Sequence, residues 1–128
     1  MKLYRLSGRK VCERVKTKGL LWKGRHLFAR YLLGLPRAYP ESSPSGIYVG
    51  TLTSTKLDKS AVKRNRMRRR CREALRVVLR ELSTVHSPAS TIQLLLLPRS
   101  SSLECNFEEL SQDIDRLLLH LNPRARHS

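Results

Sequence analysis

Acidic residues are scarce through the first 72 positions: only Glu13, Glu41 and Asp58 stand there, against 20 Lys and Arg. That imbalance excludes a surface neutralised by internal ion pairing. It also localises the formal net charge of +16, because positions 1–72 carry +17 and positions 73–128 carry −1. So large an excess opposes compaction by self-repulsion and attracts a polyanion, either nucleic acid or an anionic membrane surface.

Cysteine is equally sparse. Cys12, Cys71 and Cys105 are far apart, odd in number and never in C-x-x-C spacing, which excludes a disulfide framework and a zinc knuckle and suits a reducing compartment. Long apolar runs are missing too. The longest unbroken aliphatic stretch is Leu94 to Leu97, and MKLYRLSGRK contains no run of signal-peptide length, so a soluble, intracellular protein with no membrane partner is expected.

Catalytic patterns are missing as well. The chain has no G-x-x-x-x-G-K-[ST], no G-x-S-x-G and no G-x-G-x-x-G, and His26, His86, His120 and His127 are scattered with no metal-ligand spacing. Glu104, Glu108, Glu109, Asp113 and Asp115 crowd the approach to one late helical segment, where carboxylates complement the helix dipole. A polypeptide-borne catalytic site is therefore not expected.

What is present reads as one α+β domain. Arg9 to Lys18 places Val11, Cys12 and Val15 on one helical face and is stopped by Gly19. Gly24 to Leu33 reads as a strand closed by Gly34 and Pro36, with a further small strand at Gly19 to Trp22 or in the following loop. Residues 34–46 hold three of the six prolines among serines, the composition of an exposed loop. Ile47 to Ser54 reads as a second main strand, with Gly50 marking a bulge or a close backbone approach. After the turn Asp58-Lys59-Ser60, Met67, Cys71, Ala74, Leu75, Val78 and Leu82 form one apolar stripe over four helical turns. Ile92 to Leu97, ended by Pro98, is a buried strand. Asn106 then caps a last helix, with Glu109 placed to reach back in a capping box and Phe107, Leu110, Ile114, Leu117, Leu118 and Leu121 facing inward before Pro123. The order α-β-β-(β)-α-β-α makes a two-layer α/β sandwich over residues 1–122, with 123–128 a short flexible tail.

The middle helix carries the distinctive chemistry. Seven of the ten residues from Lys63 to Arg72 are Lys or Arg and none is acidic, whereas solvated helix faces ordinarily mix signs. Arg64, Arg68 and Arg72 recur every four residues along one edge of the apolar stripe, and Lys63, Arg66 and Arg70 gather on the other flank. A guanidinium grips phosphate oxygens in a planar fork, and the Asn65 amide between the rows can donate to phosphate or sugar. The helix could thus touch two strands, or two segments of one folded RNA. By composition alone, a nuclear localisation segment or a DNA-gripping basic region is equally compatible.

The order of the residues is more specific. Arg64-Asn65-Arg66-Met67-Arg68-Arg69-Arg70-Cys71-Arg72-Glu73 resembles the R-N-R-x-[KR]-R-x-x-R-E signature of the bacterial ribonuclease P protein component. Val49-Gly50 stands where that family has a V-G-L-x-V strand. Arg5-Leu6, Gly19 and Gly24-Arg25-His26 are similar to its opening. The resemblance implies the protein subunit of a ribonucleoprotein that removes the 5′ leader of precursor tRNA in the cytoplasm. It further implies that the RNA subunit performs the Mg²⁺-dependent hydrolysis, that no cofactor is bound by protein, and that no protein partner is obligatory. It implies a left-handed crossover within the sandwich, RNA contacts from Arg64, Asn65, Arg66, Arg68, Arg69, Arg72, Lys56 and Arg25 with the signature helix on the catalytic RNA, and a cleft between helix and sheet for the leader with Cys12, Lys16, Phe28 and Arg30 as candidates.

This chain departs from the family where bases would stack, since the aromatic positions of the first helix and strand hold Cys12, Lys16 and Arg30. Thr55-Lys56 replaces a Lys-Lys pair, and Thr51 and Thr53 replace larger aliphatics. Leader binding is then expected to lean on charge, with Phe28 and Tyr31 the aromatics available to take over stacking. The competing readings are a ribosomal-type structural RNA-binding protein and a DNA-binding regulator. The second lacks leucine heptads after its basic run.

Overall fold

The computed structural model describes residues 2–37, 39–82 and 91–121, leaving outside it the side chain of Leu82, His86, Pro123, His127 and the 123–128 tail. Its elements are β1 (Leu3–Arg5), α1 (Arg9–Lys18), β2 (Leu20–Lys23), β3 (Leu27–Leu33), β4 (Ile47–Thr51), α2 (Ala61–Leu82), β5 (Ile92–Pro98), a 3-10 turn at Ser100–Leu103 and α3 (Phe107–Leu121). The five strands form one mixed sheet in the order β1-β4-β5-β3-β2. β1 and β5 flank β4 in parallel, while β5, β3 and β2 run antiparallel to one another in turn. Parallel neighbours need a crossover, and α2 is the crossover from β4 to β5.

Alternation along the strands decides which helix covers which face. Leu27, Ala29, Ile47, Leu94 and Leu96 share a core with Cys71, Ala74, Leu75, Val78 and Leu79 of α2 and Leu110, Ile114, Leu117 and Leu118 of α3. The intervening residues face the other way, where Leu6, Tyr48 and Leu95 pack with Val15 of α1. The apolar stripe of α2 is buried, Met67, Cys71, Ala74 and Leu75 completely. On the usual scale each large side chain so buried contributes about 1.5 to 3 kcal/mol.

Local chemistry sets the ends of the elements. α1 ends where Gly19 turns extended, its N–H donating to the Val15 carbonyl at 2.8 Å, and the position is glycine because a Cβ there would lie 2.4 Å from that carbonyl and 3.1 Å from the Tyr31 backbone. Ser60 Oγ accepts the Lys63 N–H at 3.3 Å and caps α2. Asn106 Oδ1 accepts the Glu108 N–H at 3.0 Å and caps α3.

Several features differ from the sequence expectation. β1 is an additional strand, and β3 starts at Leu27 because Gly24 N–H closes a turn onto the Leu27 carbonyl. β4 ends at Thr51 and passes Gly50 without a bulge, in register with Leu95. A Cβ on Gly50 would find only ordinary contacts, the nearest at 3.5 Å. Glu109 meets His26 Nε2 at 3.0 Å, where a capping-box role was expected. The 34–46 loop is only partly exposed: Pro36 is buried, and Leu35 and Tyr39 pack on the α1-side core. The Tyr39 hydroxyl accepts the Ser7 N–H at 3.0 Å and donates to the Arg5 carbonyl at 3.2 Å.

Candidate nucleic-acid interface

Because its stripe is sunk in the core, α2 holds its cations outward. Asn65, Arg66, Arg69 and Arg72 are exposed, and Arg64 and Arg68 are half-buried. Among the described residues no side chain from Lys63 to Arg72 forms an ion pair with a carboxylate, and the nearest acid along the helix, Glu73, pairs with Arg76. The positive face of the helix is therefore open to an external anion.

One edge of that face opens into a cleft of about 390 Å³. Val49, Gly50 and Thr51 of β4 line it, together with Arg68 and Arg72 of α2, the segment Arg5 to Arg9, and Cys12 of α1. Four arginines thus border one cavity. Arg5 and Arg9 were not among the expected site residues, since only the parallel register that sets Arg5 beside Val49 brings them to α2. No local pattern announces a three-residue strand.

Two signature arginines also secure their surroundings. Arg64 Nη1 donates to the Asp58 carbonyl at 2.7 Å, and Arg68 Nη1 to Thr53 Oγ1 at 2.7 Å. Arg68 Nη2 donates to Asn65 Oδ1. Through Arg64 the loop joining β4 to α2, which bears exposed Lys56, is tied to the helix.

The opposite flank of α2 forms a second groove, of about 580 Å³, lined by Val62, Lys63, Arg66, Arg70, Leu103, Glu104 and Cys105. Here the expected trio does lie together, but Arg70 is committed elsewhere. Its guanidinium donates to the carbonyls of Ser102 at 2.6 Å and Cys105 at 2.5 Å, tying α2 to the approach of α3.

On the α1 side of the sheet, cross-strand register aligns Gly50, Leu95 and Arg30 in one row and Leu97 and Phe28 in the next. Cys12 borders the cleft, its thiol 3.7 Å from the Leu6 carbonyl, while Lys16 is exposed one turn further along α1. Burial pushes the Cys12 pKa up, with nearby Arg5 opposing the shift. Arg30 donates to the Gly19 carbonyl at 3.0 Å and so braces the end of α1. Phe28 is half-buried with Arg99 4.9 Å and Lys23 5.8 Å from its ring centre.

Tyr31 faces away from the cleft, packing on the α2–α3 core with its hydroxyl 3.0 Å from His120 Nε2, so it offers no platform there. Arg25 is exposed on the β2–β3 turn, and its backbone supports Asp113 of α3. It is not among the residues bordering the cleft.

Mg²⁺ demands oxygen ligands in octahedral geometry. The face built by α2 presents guanidinium and ammonium groups, which repel a divalent cation, so these residues do not fit a protein-held Mg²⁺. Among the described residues no group of three His, Cys, Asp or Glu is placed to hold a metal ion. No helix among them is long and apolar enough to cross a membrane.

Comparison with known proteins gives the family and the fold. The sequence pattern of the family "Ribonuclease P" matches residues 1–122. The "Ribonuclease P protein component" of Microcystis aeruginosa is 29% identical over 120 residues, covering 94% of this chain and 92% of that protein. The protein of the same description from Rickettsia typhi is 27% identical over 114 residues, covering 89% and 93%. In fold, the chain is similar to the RNase P protein of Thermotoga maritima, with a TM-score of 0.65 and 16% identity over 91% of this chain and 96% of that one. It is also similar to that of Staphylococcus aureus, with a TM-score of 0.64 and 16% identity over 94% and 97%.

Proposed function

The chain belongs to the ribonuclease P protein family, as a protein subunit of an endoribonuclease, and from that premise we propose that it binds two partners. The outward face of α2 takes the catalytic RNA, through Arg64, Asn65, Arg66, Arg69 and Lys56. The cleft between α1, β4 and α2 takes the single-stranded 5′ leader of precursor tRNA. One observation carries this reading: among the described residues the cations from Lys63 to Arg72 form no ion pair with a carboxylate, and two of them, Arg68 and Arg72, meet Arg5 and Arg9 around one cavity.

The chemistry matches a sugar–phosphate chain. Guanidiniums bordering the cleft offer bidentate donors to successive phosphates. Bound counterions are released when phosphates are neutralised, which makes such binding strong at low salt and independent of sequence. Phe28 is not among the residues bordering the cleft, and its ring faces Arg99 and Lys23, two cations that extend the phosphate-binding surface beyond the cleft. Cys12, Lys16 and Arg30 supply small or charged surface where bases would otherwise stack. The Mg²⁺-dependent hydrolysis belongs to the RNA subunit, and the assembly works in the cytoplasm.

The test is reconstitution of the chain with a bacterial ribonuclease P RNA, comparing affinity for precursor tRNA with that for mature tRNA. The leader should strengthen binding, and replacing Arg68 and Arg72 by Ala should remove most of that gain. A wild-type complex that binds both tRNAs equally would refute the leader cleft.

A further inference from the structure

Thr53 lies just beyond β4, on the loop that leads into α2. It is half-buried, and its Oγ1 accepts from Arg68 Nη1 at 2.7 Å. The other terminal nitrogen of the same guanidinium donates to Asn65 Oδ1. A planar group held by one acceptor on each terminal nitrogen is fixed in its plane and in its reach. Arg68 also borders the cleft with Arg72, and these two bonds use only two of its five N–H donors.

The loop does not depend on this bond for its own order. Arg64 holds it at the Asp58 carbonyl, the Leu57 N–H meets Ser54 Oγ at 3.3 Å, and the Ser60 N–H meets Asp58 Oδ1 at 2.8 Å. The Thr53 hydroxyl thus serves Arg68 rather than the loop, and it carries no charge of its own to offer RNA.

We propose that Thr53 is a positioning residue for RNA binding, its hydroxyl holding the Arg68 guanidinium in the plane it presents to a phosphate in the cleft. This rests on the reading that Arg68 meets RNA. Without the hydroxyl, the long side chain regains its rotamers in the free protein and must be ordered again on binding, a loss of about three- to tenfold in affinity.

The test uses the full chain assembled with a bacterial ribonuclease P RNA and precursor tRNA, with affinity measured at one fixed salt concentration. The variants are Thr53→Val, which keeps the shape and removes the hydroxyl, Thr53→Ser, Arg68→Ala, and the double variant Thr53→Val with Arg68→Ala. The expected results are an unchanged unfolding temperature, binding about three- to tenfold weaker for Thr53→Val, near wild-type binding for Thr53→Ser, and no added loss when Arg68 is already Ala. An equal loss from Thr53→Val in both backgrounds would overturn the positioning role, as would no loss while Arg68→Ala weakens binding. If Arg68→Ala itself leaves binding unchanged, the RNA-facing reading of Arg68 fails first and the positioning role falls with it.

Discussion

Asp113 Oδ2 accepts the backbone N–H of His26 at 2.6 Å, joining residues 87 positions apart. The carboxylate is wholly buried, and Arg116 and the Arg25 backbone also donate to it. It therefore locks the β2–β3 turn onto α3. Asp113→Asn removes the charge that those donors satisfy and should destabilise the fold by about 2 kcal/mol, which equilibrium unfolding in urea would measure.

The same carboxylate gives a pH signature. Burial pushes its pKa up, but the donors from His26, Arg116 and Arg25 outweigh that, so the folded value lies below the ordinary 3.8. The stabilisation is then complete above 3.8 and is lost as pH falls through the lower folded value. The stability gap between wild type and Asp113→Asn should stay constant from about pH 5 to 7 and shrink in stronger acid. A gap that widens on acidification would contradict the assignment.

Neighbouring arginines on α2 should separate cleanly into two kinds. Arg70 is spent on the carbonyls of Ser102 and Cys105, whereas Arg66 is exposed. Arg70→Ala should cost about 2 kcal/mol of stability, while Arg66→Ala should leave thermal unfolding unchanged and weaken RNA binding. Melting curves and RNA affinities of the two variants, measured side by side, check the division.

Thiol chemistry reports on the core. Burial pushes the Cys71 pKa up to about 12, and the thiolate is the reacting form. Cys12 and Cys105, both only half-buried, should react first with an alkylating reagent at mildly alkaline pH. Cys71 should react only at the rate of unfolding, and mass spectrometry of timed samples would give the order.

Much of this molecule was legible in its sequence wherever the signal was local. α1 occupies Arg9–Lys18, as the spacing of Val11, Cys12 and Val15 and the stop at Gly19 indicate. The stripe from Met67 to Val78 is core, because a period of 3.6 leaves no other face to bury. Features made by distant pairing were not legible. β1 exists because Leu3–Arg5 finds β4, and Arg70 is structural because its partners are backbone carbonyls, which leave no trace in residue type. Alternation along β3, applied strictly, would have placed Phe28 on one face of the sheet and Tyr31 on the other.

At the centre of this account, α2 anchors its apolar stripe in the fold and presents its arginines to RNA. Affinity of the chain for a bacterial ribonuclease P RNA, measured across a salt series for wild type and for the variant with Arg64, Asn65 and Arg66 all replaced by Ala, tests it most directly. The account predicts a variant that still melts cooperatively, binds much more weakly, and has a log–log salt slope shallower by about 0.7 to 0.9 for each phosphate that is no longer neutralised. Binding of wild-type strength and slope in that triple variant would contradict it.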